Sequence, residues 1–272
     1  MPRSEGRIRF AQYGVLRAIA AVPSLQQLLV FKGGNALDFV WLPNRSTRDL
    51  DFSADARHLP ARFAANDVKS LLLQGLAVVG RDLEIDFGIH RVEQRPPGAD
   101  KTFIAYHANI QYALGDEQSL RVRLRSGEII RQSVPVEISL NEVIREAEEV
   151  AIDDLRRLRV STTEDIVSEK LRALLQQTLR NRHRPQDVLD IAMIVRDRPG
   201  LDTDRIATYL MRKAMARNVP VSRAAFHAEE IKERAKQGYA ELAPTTRKPF
   251  IPFDEAWADL QRLVGRLAIP VT

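Results

Sequence analysis

The feature of the sequence that most constrains the fold is a change in the spacing of apolar residues along the chain. Apolar side chains alternate with polar ones or glycine over residues 83–90, a period of two that is typical of a half-buried strand. In the second half of the chain, apolar residues recur at helical spacing. STTED, residues 161–165, has a serine followed three positions later by a glutamate, as at a helix start. We therefore predict an α/β (α+β) lobe over residues 1–155 and an all-helical lobe over residues 156–272.

Composition narrows the class of protein. The 272 residues are 44% hydrophobic, which is enough for a sizeable core, and no apolar run of about 18 residues predicts a membrane span. The start of the chain, MPRSEGRIRF, lacks the apolar core of a signal peptide, and the absence of cysteine is compatible with the cytoplasm. The net charge of +5 comes mainly from arginine. Arginine suits bidentate phosphate contact, so the charge favours a nucleic acid or nucleotide partner, although a merely soluble basic surface fits equally well.

Local patterns predict the other elements. Pro60 and Pro185 suit the first turn of a helix, and SGE at residues 126–128 suits a hairpin turn. Further strands are predicted over residues 27–31, 49–53, 102–113, 119–125 and 134–140. Helices are predicted over residues 6–22, 36–41, 60–77, 161–180, 185–196, 203–217, 222–242 and 254–267.

Asp49 and Asp51 lie near the end of the stretch FKGGNALDFVWLPNRSTRDLDFSAD, residues 31–55. Asp49 and Asp51 are two apart on a predicted strand, so both side chains point to one face, while Leu50 and Phe52 point to the other. Neighbouring carboxylates repel each other, and a divalent cation such as Mg²⁺ or Mn²⁺ removes that conflict. Nucleotidyl transfer requires such an ion beside the phosphates. The alternative is a solvated strand end with two surface aspartates, which is the commoner meaning of an isolated Asp-x-Asp.

Two glycines make a phosphate site more plausible than the aspartates alone do. Gly33 and Gly34 follow one predicted strand and precede a short helix. Without a Cβ they let a triphosphate approach the backbone, and the start of a helix offers free N–H groups to an anion. A GG pair alone is usually an ordinary turn. The succession of strand, GG, helix, loop and Asp-x-Asp strand is much more specific.

This succession resembles the DNA-polymerase-β-like nucleotidyltransferase superfamily. More narrowly, FKGGNAL followed by RSTRDLDF is similar to the AbiEii/AbiGii toxin family, whose members carry KGGTAL and then R-x-S-x-D-L-D. The spacer of 14 residues between Gly34 and Asp49 lies at the long end of the superfamily's range, and Asn35 stands where Thr or Ser is commoner. Asparagine can still donate to a phosphate oxygen. We therefore predict that Gly33, Gly34 and Asn35 bind the nucleotide phosphates.

The resemblance implies a third carboxylate on a neighbouring strand. VPVEISL, residues 134–140, supplies Glu137 opposite an apolar face and matches the family's apolar-Glu-Ile-Ser strand. The implied metal ligands are Asp49, Asp51 and Glu137. An ordinary exposed strand glutamate is the alternative for Glu137. Asp86, in LEIDFGI, is the rival third carboxylate, and we expect it to be structural or solvated.

The helical lobe resembles the family in two further segments. SEKLRALLQQ (168–177) is similar to AEKLRAL, and RPQDVLDIAMI (184–194) is similar to RDLYDLY. Lys170 lies within an apolar helical stripe, and a buried lysine needs an anionic partner, which Asp187 or its neighbour Asp190 could be. A purely structural Lys–Asp pair is one possibility. The resemblance implies instead that Lys170 contacts the triphosphate in the active cleft and that Asp187 orients it or assists the acceptor.

Several arginines leave two readings open. Arg45 and Arg48 flank the Asp-x-Asp motif and could bind phosphates or RNA, or equally be solvated; we include Arg48 among the predicted nucleotide-binding residues. Arg121, Arg123 and Arg125 share one face of a predicted strand. That face is either a basic stripe directed at RNA or an exposed surface of the sheet.

The resemblance implies a nucleotidyltransferase lobe with a mixed sheet, a helical lobe, and an active site in the cleft between them. The implied activity is transfer of a nucleoside monophosphate from an NTP to RNA, first of all the acceptor end of tRNA. The enzyme would be the toxin of a cytoplasmic, phage-defence-type toxin–antitoxin pair with a separate antitoxin protein. The implied catalytic set is Asp49, Asp51, Glu137, Lys170 and Asp187. The alternatives are a protein or small-molecule acceptor, and a non-catalytic RNA-binding or partner-binding module.

Overall fold

The structure is a computed structural model that describes residues 3–43, 45, 47–97, 103–142 and 144–272. The chain divides into two compact units. The first comprises Met1–Ala36 and Thr47–Ser161, and the second comprises Leu37–Ser46 and Thr162–Thr272. We predicted a single join near residue 155, whereas in the structure the segment between the glycines and the aspartates also belongs to the second unit.

The first unit is built on a seven-stranded sheet with helices. The strands are β1 Leu29–Lys32, β2 Leu50–Ala54, β3 Ile85–Arg95, β4 Ala105–Leu114, β5 Ser133–Ser139, β6 Ala147–Ala151 and β7 Arg157–Ser161. The helices are α1 Arg3–Ala20, α2 Pro23–Leu28, α3 Gly33–Ala36, α4 Ala65–Leu83 and α5 Gln118–Arg125. The order of strands across the sheet is β3-β4-β5-β2-β1-β7-β6.

The sheet is mixed, as predicted. β2 runs parallel to β5 and β1 runs parallel to β7, while the other neighbouring pairs are antiparallel. The two parallel pairs lie in the middle of the sheet, so strands distant in the sequence meet there. The predicted α/β class is confirmed.

The core of this unit lies against the apolar face of the central strands. Leu50 and Phe52 are fully buried, as their alternation with the aspartates predicts, and the ring of Phe52 stacks on that of Phe31 at 5.1 Å between centroids. Burying one such side chain stabilises the fold by about 1.5–3 kcal/mol. Helices α1 and α4 pack closely at Gly75, where a Cβ would lie only 2.1 Å from the carbonyl oxygen of Ala18.

The second unit is helical. After a π-helical turn at Leu37–Trp41, its elements are α6 Thr163–Leu175, α7 Gln177–Arg180, α8 Pro185–Asp197, α9 Thr203–Met215, α10 Arg223–His227, α11 Glu229–Lys236, a 3₁₀ segment Tyr239–Thr245 and α12 Phe253–Arg266. The predicted helix start at STTED is displaced by one residue. Ser161 ends β7, and the hydroxyl of Thr162 caps α6 by accepting from the backbone N–H of Asp165.

The strand predicted over residues 119–125 is wrong, because this segment forms helix α5. None of its residues is buried, so the alternation of arginines is not a burial pattern. On a helix, Arg121 and Arg125 lie one turn apart, and both reach Asp86, with Nε–Oδ2 distances of 3.0 and 2.8 Å. Arg123 pairs with Glu128 instead. Both readings of a shared strand face, the basic stripe and the exposed surface of the sheet, are therefore wrong.

Other differences have local causes. The sequence analysis did not predict β6 or β7. β6 is a short edge strand with no fully buried residue, so it lacks a clear apolar pattern. The helix predicted over 222–242 is divided at Ala228, whose backbone is extended, and at Gly238, whose φ is +77°. The helix predicted from residue 60 begins only at Ala65. Thr102, the start of another predicted strand, lies outside the described residues.

Candidate active site

A row of polar side chains crosses four strands of the first unit. Lys32 of β1 is the cross-strand partner of Asp51 in β2, Asp51 is the partner of Glu137 in β5, and Glu137 is the partner of His107 in β4. Cross-strand partners project to the same face of a sheet. We call the face that carries Lys32, Asp51, Glu137 and His107 the site face.

The sheet order distinguishes the two candidates for the third carboxylate. β5 is the direct neighbour of β2, so Glu137 stands next to Asp51. Asp86 lies on β3, three strands from β2, and its carboxylate contacts Arg121 and Arg125. Burial alone would raise the pKa of Asp86, but these two guanidinium groups lower it below its usual value. The geometry therefore favours Glu137 beside Asp51 and gives Asp86 a structural role.

Asp49 and the two carboxylates of the site face are accessible to a solute. Asp49, immediately before β2, is exposed, Asp51 is half-buried, and the side chain of Glu137 is 40% exposed. Glu137 lies 3.5 Å from His107 Nε2 and accepts a long hydrogen bond of 3.5 Å from Ser139. Within the described part of the chain, no three His, Cys, Asp or Glu side chains already surround a common point at metal-ligand spacing. The register of β2 with β5 thus sets Asp51 beside Glu137, and Asp49 lies two residues before Asp51 in the chain.

Gly33 lies directly against Asp51. Its φ of +74° is in the left-handed region that favours glycine, and a Cβ there would be 2.8 Å from Asp51 Oδ2. The first glycine of the motif therefore gives space to a carboxylate. Gly34 follows it in the short helix α3, and both glycines are half-buried. The phosphate-binding role of this pair stays a prediction.

Asn35 uses its side chain within the protein. It is 1% exposed, and its Nδ2 donates to the carbonyl oxygens of Thr47 at 3.3 Å and Asp49 at 2.6 Å. The predicted donation from Asn35 to a phosphate would compete with these two bonds. Arg48, also predicted to bind nucleotide, is exposed and so remains accessible to an anion.

Sequence reasoning missed a second polar group on the site face. Lys32 Nζ contacts the carboxylate of Glu142 and donates to Ser139 Oγ at 3.2 Å. The hydroxyl of Ser53 donates to Glu142 at 2.7 Å. Lys32 begins the KGG motif, and its in-register position opposite Asp51 would have revealed it once the strand pairing was known. It places a cation beside the carboxylates.

In the second unit, Lys170 is the centre of a buried ionic group. Its Nζ lies 2.9 Å from Asp187 Oδ1 and 2.7 Å from Asp190 Oδ2, and its side chain is 8% exposed. Asp190 also accepts from Arg45 at 3.0 and 3.2 Å. We call Lys170, Asp187, Asp190 and Arg45 the Lys170 cluster. The predicted pairing of Lys170 with an aspartate is present, with Asp190 and Arg45 as additional members.

Burial and charge compete in the Lys170 cluster. Burial alone would lower the pKa of Lys170, but the carboxylates of Asp187 and Asp190 raise it above its ordinary value. Burial alone would raise the pKa of Asp190, but Arg45 and Lys170 lower it to about 2. Lys170 and Asp190 therefore stay charged at neutral pH. Asp187 Oδ2 is buried without a hydrogen-bond partner among the described residues, and Arg184 Nη1 lies 3.7 Å from it.

Arg45 belongs to a segment that the second unit holds at several points. Its backbone forms a bridge with Thr246, and the π-helical residue Asp38 accepts from Arg247 at 2.8 and 2.9 Å. The guanidinium of Arg198 lies 5.3 Å from the ring centroid of Trp41. These contacts fix the part of the chain between the GG and Asp-x-Asp motifs. Arg45, for which the sequence allows either phosphate binding or a solvated position, is instead paired with the buried Asp190.

One cavity of the first unit lies apart from the predicted residues. It has a volume of about 380 Å³ and is lined by Ser24, Gln27, Leu28, His58, Pro60, Arg62, Phe63, Asp67, Ser70 and Leu71. None of the residues predicted to carry the chemistry lines it.

Comparison with known proteins identifies the family. The family model of the nucleotidyl transferase AbiEii toxin, from type IV toxin–antitoxin systems, matches residues 14–259. The chain belongs to this AbiEii family. It is therefore a nucleotidyltransferase toxin, and its family implies an antitoxin partner. The alternative of a non-catalytic binding module is set aside.

Solved structures share the fold of this AbiEii-family chain. A Helicobacter pylori protein described as a nucleotidyltransferase aligns with a TM-score of 0.55 at 15% identity, over 97% of this chain and 95% of its own. MenT4, a nucleotidyltransferase toxin from Mycobacterium tuberculosis, aligns with a TM-score of 0.56 at 15% identity, over 97% of this chain and 84% of its own. No curated protein matches the sequence. Among the described helices, none is long and apolar enough to cross a membrane.

Proposed function

We propose that this AbiEii-family enzyme transfers a nucleoside monophosphate from an NTP to a hydroxyl group of RNA, with the acceptor end of tRNA as the first candidate. The single observation that carries the proposal is the parallel register of β2 and β5, which sets Asp51 beside Glu137 on the site face. The net charge of +5 supports a polyanionic acceptor, although it does not distinguish tRNA from other RNA.

The residues of the site face fit a divalent cation. Carboxylate oxygens are the ligands that Mg²⁺ and Mn²⁺ prefer, and Asp49 and Glu137 are accessible. Two buried polar atoms nearby, Asn35 Oδ1 and Thr47 Oγ1, have no hydrogen-bond partner in the described part of the chain. Asp49, Asp51 and Glu137 would hold the ion. It would supply neutralisation of the charge that develops on the phosphates.

In the proposed transfer, the acceptor oxygen forms a bond to the α-phosphorus. The bond from this phosphorus to the oxygen that bridges to the β-phosphate breaks, and pyrophosphate leaves. The acceptor hydroxyl loses its proton, which Glu137 would accept when it is not serving as a metal ligand. Arg48 and the backbone at Gly33 and Gly34 would position the phosphates, and most of the rate enhancement would come from positioning and electrostatics.

The roles predicted for Lys170 and Asp187 remain proposals. Lys170 carries a positive charge suited to a triphosphate, and one carboxylate oxygen of Asp187 has no hydrogen-bond partner among the described residues. Both are supported by the resemblance of their helices to the family segments. The cytoplasm, a role in phage defence, and an antitoxin made as a separate protein are proposed on the same basis.

Incubation of the purified protein with total bacterial RNA, Mg²⁺ and each α-labelled NTP tests the proposal. We expect label in a tRNA-sized band, and we expect none with the Asp49→Ala/Asp51→Ala variant. A parallel reaction containing EDTA tests the metal requirement. Label found only in protein or in small molecules would overturn the RNA acceptor, and unchanged transfer in EDTA would overturn the metal.

A further inference from the structure

Two buried side-chain amides converge on the segment that leads into the Asp-x-Asp motif. Gln12 Nε2, from helix α1, donates to the carbonyl oxygens of Thr47 at 2.9 Å and Arg48 at 3.0 Å. Asn35 Nδ2, from α3, donates to those of Thr47 and Asp49. Three successive carbonyls are thus bound by two side chains, which we call the amide clamp. All of these residues lie in the first unit.

The clamp supplies hydrogen-bond donors to these three carbonyls. Residues 47–49 lie outside the helices and strands, immediately before β2. A carbonyl removed from water needs a donor, and a buried amide needs acceptors. Gln12 is 2% exposed and stands beside the fully buried Ala11 in an apolar part of α1. The two hydrogen bonds that Gln12 donates satisfy its amide group in this buried position.

The chemistry of asparagine explains the departure at residue 35 from the commoner Thr or Ser. A hydroxyl group donates one hydrogen, whereas the NH₂ group of asparagine donates two. Only the amide can donate to the carbonyls of Thr47 and Asp49 together. The long spacer of 14 residues between Gly34 and Asp49 makes such a restraint useful, because more backbone has to be ordered before the first carboxylate.

We propose that Gln12 and Asn35 are positioning residues that fix where Asp49 enters β2 and so set the carboxylates for metal binding. This inference rests on the proposed function of the site face. It replaces the predicted contact between Asn35 and phosphate with a contact to the backbone. Misplacement of a reacting group by about 1 Å can cost about a hundredfold in rate. Removal of the clamp is therefore expected to lower the transfer rate strongly.

Three variants test the clamp. Gln12→Met and Asn35→Leu remove the donors while keeping similar side-chain size. Gln111→Met is the matched control, because Gln111 is also buried and donates to a carbonyl, that of Ile130 at 2.7 Å, at a position away from the Asp-x-Asp segment. Mn²⁺ affinity is measured by electron paramagnetic resonance, and transfer to RNA is measured as a function of Mg²⁺ concentration.

We expect Gln12→Met and Asn35→Leu to weaken Mn²⁺ binding and to lower the transfer rate by about tenfold to a hundredfold. The Mg²⁺ concentration for half-maximal rate should rise in both. Gln111→Met should lose thermal stability to a similar extent without changing either metal response. Asn35→Ser, which keeps one donor, should lie between the wild type and Asn35→Leu, and it serves if the leucine variant does not fold.

The outcomes separate this inference from the proposed function. Wild-type metal responses in both clamp variants, or the same weakening in Gln111→Met, would overturn the clamp and leave the proposed function intact. Wild-type protein that binds Mn²⁺ but labels no RNA would overturn the RNA acceptor, and the Mn²⁺ affinities would still decide the clamp. A wild-type protein that binds no Mn²⁺ would overturn both.

Discussion

The site face and the Lys170 cluster both bring carboxylates and a lysine together, but they differ in their access to water. On the site face, Glu137 is 40% exposed, and Asp49, immediately before β2, is exposed as well. In the Lys170 cluster, Lys170 is 8% exposed and Asp190 is fully buried. Accessible carboxylates can take up an ion, whereas buried ones have to be neutralised by fixed cations. The same residue types are therefore accessible to a ligand in one place and neutralise one another in the other.

Removal of the lysine from the buried cluster should have the largest effect on stability. Lys170→Met leaves Asp187 and Asp190 with Arg45 as the main remaining counter-ion, and breaking a buried ion pair costs about 3–5 kcal/mol. Urea denaturation followed by circular dichroism measures the loss. Lys248→Met, which removes an exposed pair with Asp197, is the control and should cost less than about 1 kcal/mol. Equal losses in the two variants would show that the cluster is not held by charge.

Substitutions on the site face should lower the transfer activity strongly and change the stability little. Asp51→Asn and Glu137→Gln should each reduce transfer by about a hundredfold to a thousandfold, because they remove charge at the reacting phosphates. Their free energies of unfolding should change by less than about 1 kcal/mol, because these side chains are accessible to water. Initial rates with labelled NTP and urea denaturation give the two values. Asp86→Asn is the control and should retain activity; an equal loss there would move the metal site to β3.

Acid should lower the free energy of unfolding through the buried cluster, by less than the loss expected for Lys170→Met. The pKa of Asp190 is about 2 in the folded protein against an ordinary value of 3.8, so its stabilising effect is complete above 3.8. The effect is lost as the pH falls from 3.8 through about 2 and amounts to about 2 kcal/mol. Unfolding free energies measured over this range should fall more steeply for the wild type than for Asp190→Asn. Parallel curves would contradict the lowered pKa.

The alternation of residue types was a better guide to structure in β2 than in the segment that forms helix α5. The alternation in DLDF placed the aspartates opposite Leu50 and Phe52, and the structure shows both apolar residues fully buried. Alternation failed at residues 119–125, because arginines at every second position also fit a solvent-exposed helix. Gln12 was missed for a different reason. A single polar residue in an apolar helix gives no sign of its acceptors until the fold brings the carbonyls of residues 47 and 48 to it.

Gly33→Ala tests whether position 33 needs glycine for its backbone conformation or for space beside Asp51. Gly33→Ala should cost about 1–2 kcal/mol for its left-handed φ of +74°. Gly127 has a similar φ of +83° with open space around it, so Gly127→Ala carries the backbone cost alone. In Gly33→Ala the added methyl group would also displace the Asp51 carboxylate, whose Oδ2 lies 2.8 Å from the new Cβ position. We therefore expect similar losses of stability in the two variants and a loss of transfer activity only in Gly33→Ala. If Gly33→Ala keeps full activity, the site face tolerates movement of Asp51, and positioning on this face depends less on close packing than on the backbone register of β2 with β5.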